Sequence, residues 1–167
     1  MSSNRIVSAV VSGSYHVSGA YDADVTEMAR NRYDYVNENL KTKNFLTTRS
    51  GKFDIIIELV CFKLSMDSAR VLAEISRLGY RPVEAREILA LGMRYPDVQL
   101  DFPIIALDQP WVDYMGNRRV VYLDRYGKKR NALLIPYDVD WNDNCRFAIV
   151  KKATTIQKSL SESLKEL

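Results

Sequence analysis

The feature that most restricts this chain is the segment from Phe53 to Phe62, where Ile55, Ile56, Ile57, Leu59, Val60 and Cys61 follow one another almost without interruption. A half-solvated strand would alternate apolar with polar residues, so this run reads as a strand buried on both faces. Such a strand needs a folded domain around it. The 167 residues are enough for one ordinary domain, and 47% hydrophobic with 27% charged residues exclude a collagen-like, low-complexity or wholly disordered chain. No apolar run approaches the ~20 residues of a membrane span, so no transmembrane helix and no membrane partner are expected. Met1 to Val11 has no sustained apolar core and no clean small-residue cleavage site, which argues against a secretory signal. Two cysteines, Cys61 and Cys145, are too few for a disulfide scaffold. Free thiols and a cytoplasmic location are therefore expected. A net charge of +3 and a pI near 8.8 permit an anionic partner without requiring one.

Around the buried run, local patterns set out the elements. Ile6 to Val11 reads as a strand, followed by a loop punctuated by Gly13 and Gly19 and containing Tyr15, His16 and Tyr21. Asp24, with Glu27 three residues on, caps a helix over 24–41 built on Val25, Met28, Arg32, Tyr35, Val36 and Leu40. Residues 41–52 read as a connector. After the buried strand, Ser65 caps a helix carrying Met66, Ala69, Leu72, Ala73 and Ile75 or Leu78, and Gly79 stops it. Pro82 suits a first helical position, and a helix over 83–94 turns Ile88, Leu89 and Leu91 inward before Pro96 ends it. Strands follow at 103–107, 118–123, 131–135 and 145–151, with 124–128 as the turn between the middle two. Finally, Ile156, Leu160, Leu164 and Leu167 share one face of a helix over 154–167, a stripe expected to dock on the domain's own surface or pair with a second copy as a homodimer. The class is α+β: a strand-helix unit over 1–50, a domain over 51–152 with a strand, two helices and a small antiparallel sheet, and an amphipathic helix over 153–167.

Three stretches carry a family resemblance across about 53–152. Gly79-Tyr80-Arg81-Pro82 followed by Glu87-Ile88-Leu89 resembles the motif that opens the second helix in bacterial members of the C-type-lectin-like fold. Phe102 to Leu107 sits where that fold has its Trp-Ile-Gly-Leu strand. Trp141-Asn142-Asp143, before Cys145 and Phe147-Ala148-Ile149-Val150, is similar to the family's Trp-Asn-Asp segment ahead of the last strand. The same region resembles uncharacterised bacterial proteins, and the resemblance extends to the formylglycine-generating-enzyme-like branch. It implies a lectin-like unit whose ends meet, with 53–62 beside 145–151, and whose irregular loops bind ligand. Sugar-binding members hold calcium through the Asn and Asp of the last segment, which map to Asn142 and Asp143 here, and the neighbouring Asp138 and Asp140 are further oxygen donors in the same turn. Calcium takes about 6 to 8 oxygen ligands, however, and Gln109-Pro110-Trp111 departs from the family's second ligand pair because Trp111 cannot ligate a metal. Formylglycine-generating enzymes use paired cysteines near their active site, a pattern that one cysteine at each end does not reproduce.

The residues themselves name no catalytic centre. His16 is the single histidine, and no phosphate loop, dinucleotide fingerprint or GxSxG elbow occurs, so nucleotide hydrolysis and the common esterase chemistry lose their usual support, no cofactor is expected, and a hydrolase or transferase rests only on the acids and this lone histidine. Trp111, Tyr114 and Trp141 fall in irregular segments and are side chains that dominate interfaces, which predicts a module that holds a protein or peptide through loops 108–117 and 136–144. The alternative is nucleic acid, bound by Arg118, Arg119, Arg125, Lys128, Lys129 and Arg130 with Tyr122 and Tyr126 interleaved. A calcium-dependent carbohydrate site is the remaining one.

Overall fold

The structure, a computed structural model, describes residues 7–153 and 155–166. In chain order the elements are β1 (Ala9–Ala20), α1 (Val25–Ala29), β2 (Tyr35–Val36), a single 3-10 turn (Thr42–Asn44), β3 (Lys52–Phe62), β4 (Met66–Asp67), α2 (Ser68–Arg77), β5 (Tyr80–Pro82), α3 (Ala85–Arg94), α4 (Val98–Asp101), β6 (Ile104–Val112), β7 (Arg118–Tyr126), β8 (Lys129–Pro136), β9 (Asp140–Trp141), β10 (Arg146–Lys151) and α5 (Thr155–Lys165). The chain is thus mixed α/β, with five helices and an eight-stranded sheet among the described residues. Strand order is β1-β3-β10-β6-β7-β8-β2, with β5 added on β10 and a separate β4-β9 ribbon. The β10–β6 and β8–β2 pairs are parallel and the others antiparallel. Phe147 stands opposite Val60, so the strands over 53–62 and 145–151 are neighbours as the sequence reading expects.

The central strands are apolar on both faces because two cores flank them. Ile57, Leu59, Ile104, Ala106, Val121, Leu123 and Ala148 face α1 and α3, while Val60, Phe62, Ile105, Leu107, Val120, Phe147 and Ile149 face α2 and the β4-β9 ribbon. This one-residue alternation is the pleat of a sheet covered on both sides. The α3 helix presents Ile88, Leu89 and Leu91 inward, as its spacing predicts.

Several expectations need correction. The segment after Val11 is not a loop: β1 runs on to Ala20, paired with β3 along its length, and the register shift between Ser12 and Tyr15 is taken up by Gly13 at φ +73°. The helix over 24–41 stops at Ala29. Asp24 caps it as expected, accepting from the Glu27 amide at 3.0 Å, but Asn31 is left-handed at φ 59° and Tyr35–Val36 is drawn into pairing with β8. Tertiary strand pairing here overrides helical spacing. The cap of α2 is Asp67, not Ser65, and its buried side chains are Ser68, Val71 and Ile75. Pro82 closes β5 and does not open α3, which is capped by a Glu84–Glu87 box. The expected turn over 124–128 is mostly strand: Tyr126 pairs with Lys129, leaving Gly127–Lys128 as the turn. Residues 7–50 supply both sheet edges, and their Val17, Tyr21, Val25 and Leu40 share a core with β3. In α5, Leu160 and Leu164 are 60% and 70% exposed, so neither of these two stripe residues is docked on this chain. Ile6 and Leu167 lie outside the described residues, as does the side chain of Ile156.

Candidate functional site

The first turn of α3 is built around a charged group out of water. Glu87 is 0% exposed and receives both Arg81 guanidinium nitrogens at 2.9 and 2.8 Å, the Tyr21 hydroxyl at 2.7 Å and the Glu84 amide at 2.7 Å. Burial by itself would raise this carboxyl, but the Arg81 guanidinium, the amide and the phenol together hold it below the usual range. Burial, and then Glu87, push the Tyr21 phenol up. One residue back, buried Arg86 donates to the carbonyls of Ala23 at 2.8 Å and Phe45 at 3.0 Å. That pair of bonds pins the segment after the 3-10 turn across the head of α3, and Arg49 adds an ion pair to Glu84 at 2.6 Å.

Opposite this head, β6 leaves its ladder. Ala106 pairs with Val121 and Trp111 with Arg119, so residues 107–110 stand against Val120 alone. Bulges of this kind re-aim side chains next to functional sites. Asp108, Gln109 and Pro110 consequently line a cavity of about 410 Å³ with Lys43 to Thr48, Glu84 and Arg86. A second recess of about 310 Å³ shares Thr47, Thr48, Glu84, Asp108 and Gln109 with it and adds Arg49, Arg81 and Pro82. Together they form one polar-rimmed cleft, of a size that takes a small molecule or a short peptide segment. Within it the half-buried Asp108 carboxyl is pushed up to about 6, first by burial and further by Glu84 and Glu87, against the Gln109 amide and Arg81. A carboxyl of that kind exchanges a proton near neutrality and hydrogen-bonds in either form.

The three aromatic candidates are not brought together. Trp141 is 3% exposed in the core beneath α2, edge-on to Phe147, with its indole N–H donating to Ser68 Oγ at 2.8 Å. That burial removes it from any binding surface. Trp111 packs partly against the core on the opposite face. Tyr114, by contrast, is 97% exposed on a turn fixed by Asp113, whose carboxylate accepts from the Met115 and Asn117 amides and from Arg119 Nε, each at 2.9 Å.

The basic set also divides. Arg118 is paired with Asp138 and lies over the Tyr137 ring, and Arg119 is held by Asp113. Arg130 lies over the Tyr33 ring and donates to the carbonyls of Arg32, Pro96 and Gly92 and to Gln99 Oε1. These three arginines are structural. Arg125, Lys128 and Lys129 remain at the exposed hairpin tip beside Tyr126, with Arg125 donating to the Gly127 carbonyl at 3.1 Å. Asn142 caps its own turn, accepting from the Asn144 amide at 2.9 Å and the Cys145 thiol at 3.6 Å. Asp140 sits in β9 opposite Asp67, and Asp143 gives its main-chain carbonyl to Arg146. Among the described residues, no group of three or more His, Cys, Asp or Glu is arranged to hold a metal.

His16 and Ser18 both bond Asp54 Oδ1 on the exposed β1–β3 surface. A nucleophilic triad would need the hydroxyl on the imidazole, so this arrangement does not activate Ser18. Cys61 and Cys145 are free thiols, and burial raises that of Cys145. No family model matches the chain, and no curated protein or solved structure matches it either.

Sequence reasoning missed the Asp108 cleft and the Arg81–Glu87 pair. For the pair a signal exists: Glu84-x-x-Glu87 is a capping box just after Arg81. For Asp108 the cause is the bulge, which has no residue signature.

Proposed function

We propose that this chain is a non-enzymatic binding module that holds a short segment of a protein partner in the cleft between residues 43–49, the head of α3 and the β6 bulge, with the exposed Tyr114, four residues beyond Pro110, as a further anchor. The observation that carries the reading is the β6 irregularity. Four residues, 107–110, are released from the ladder over a rigid base, which turns a sheet interior into a rim of hydrogen-bonding groups. The turn under Tyr114 supports it as well, since Asp113 fixes the main chain that presents this exposed ring, which therefore loses little backbone freedom on binding. The scaffold is proposed to be C-type-lectin-like, on the strength of β3 lying against β10 with α2 and α3 between them in the chain.

Panning a displayed random-peptide library against the full chain tests this reading. Enriched peptides should shift amide resonances of 43–49 and 106–110, and should weaken about tenfold or more when Gln109→Trp fills the cleft. Equal binding to wild type and Gln109→Trp, or shifts confined to other surfaces, would reject it.

Nucleic acid remains a second reading, favoured by one observation: Tyr126, 81% exposed, stands among Arg125, Lys128 and Lys129. With three rather than six basic side chains at the tip, single-stranded RNA or DNA should bind with a shallow salt slope of about −2 to −3. Binding unaffected by Lys128→Glu with Lys129→Glu excludes it.

A further inference from the structure

Each strand of six or more residues carries Lys, Arg, Asp or Glu except β1, which has none of them and no proline from Ala9 to Ala20. It is also an edge, with β3 on one side and no described strand on the other. Long edges are ordinarily blunted by lysine, proline, brevity or a bulge, because a bare row of N–H and C=O groups templates another strand, and of these β1 has only the bulge after Ser12.

The register says which groups are bare. The Lys63 amide donates to the Ser8 carbonyl and the Tyr21 amide to that of Gly51. Antiparallel pairs alternate, so residues 8, 10 and 12 bond β3 before the bulge and 15, 17, 19 and 21 do so after it. Ala9 and Val11 therefore point their main-chain groups outward, as do His16, Ser18 and Ala20. In the second half the edge is engaged within the chain, since the Tyr95 hydroxyl donates to the His16 carbonyl at 3.3 Å and the Ala23 amide to that of Ala20 at 3.2 Å. The open stretch is Ala9 to Gly13, where Val10 and Val11 are both exposed.

We infer that this stretch pairs with the same stretch of a second copy, antiparallel about a two-fold axis through Val11. Val11 then exchanges two hydrogen bonds with its counterpart, and Ala9 falls opposite Gly13, small residue against small. An uncharged strand meets an uncharged strand, whereas a charged one would set an ion against Val10 and Val11. The contact is isologous and closes at a dimer, so it consumes the exposed edge.

Sedimentation of the full chain from micromolar to millimolar concentration tests the pairing. The expected species at the upper end is a dimer, twice the 19.2 kDa chain. Val11→Lys should weaken it by roughly tenfold or more, since lysine guards natural edges. Val11→Pro removes the outward amide and should do the same; if it fails to fold, Val11→Lys decides alone. Leu160→Asp with Leu164→Asp, which breaks the α5 stripe, should leave the dimer intact. A monomer throughout, a dimer indifferent to Val11→Lys, or one dissolved by the α5 variant would overturn the proposal.

Discussion

Replacing Asp108 by asparagine should stabilise the protein at neutral pH and do nothing in acid. The carboxyl is raised from 3.8 to about 6. Its folded form thus holds a proton that the unfolded chain releases. Stability falls as pH rises through this window, and above about 6 the whole cost is present. At about 1.4 kcal/mol per pH unit, the displacement corresponds to roughly 3 kcal/mol, which partial exposure to water trims to about 1 to 2 kcal/mol. Asparagine keeps an oxygen for the Gln109 amide and carries no charge toward Glu84 and Glu87. Urea unfolding at pH 7.5 should show the variant more stable by that amount with an unchanged denaturant slope, and near pH 4 the two proteins should coincide. An equal difference at both pH values would mean that ionisation is not the cause. Destabilisation at pH 7.5 would mean that the carboxylate makes a favourable bond, and the argument would fail.

Other outcomes follow from side chains already placed. Glu87→Ala strands Arg81 without its partner and should cost about 3 kcal/mol in urea unfolding, much of it recovered when Arg81→Met is added. Trp141→Phe removes the indole N–H from Ser68 and should lose about 1 to 2 kcal/mol of stability without changing peptide binding, while Tyr114→Ala should change binding and leave stability within about 0.5 kcal/mol. Leu160→Asp with Leu164→Asp should leave the thermal transition of the folded domain unmoved, because neither leucine is buried; a drop in Tm of several degrees would show that α5 packs after all.

Where local pattern and tertiary demand agree, the sequence was readable. The second half of β3 and the 3.6-residue spacing of α3 appear where their residues predict, whereas Ile56 is exposed and β6 and β7 run past their expected ends to Val112 and Tyr126. Reading failed where a distant partner decides. Beyond Val11, β1 is rich in serine and glycine and looks like a loop, yet it is held by a strand about forty positions away. Tyr35 and Val36 match a helical stripe, yet β8 takes them into the sheet. The same limit applies to the site: composition marks Trp141 as an interface residue, but only packing shows that its ring is interior. It gives no weight to Asp108, whose environment is made by the bulge, by residues 43–49 and by Glu84.

In the sheet, the last strand is not at a margin. β10 lies between β3 and β6, so residues 146–151 close a gap whose walls come from residues 52–62 and 104–112. On a ribosome, β1 and β3 can form their hairpin early, but the other edge of β3 waits for a strand made after β6, β7 and β8. A chain halted before Arg146 would hold two half-sheets with complementary bare edges inside, in the form most exposed to aggregation. The pairing is non-local, so folding should be slow for this size and all-or-none. Deleting the final strand should therefore not yield a smaller folded protein, only an unfolded one.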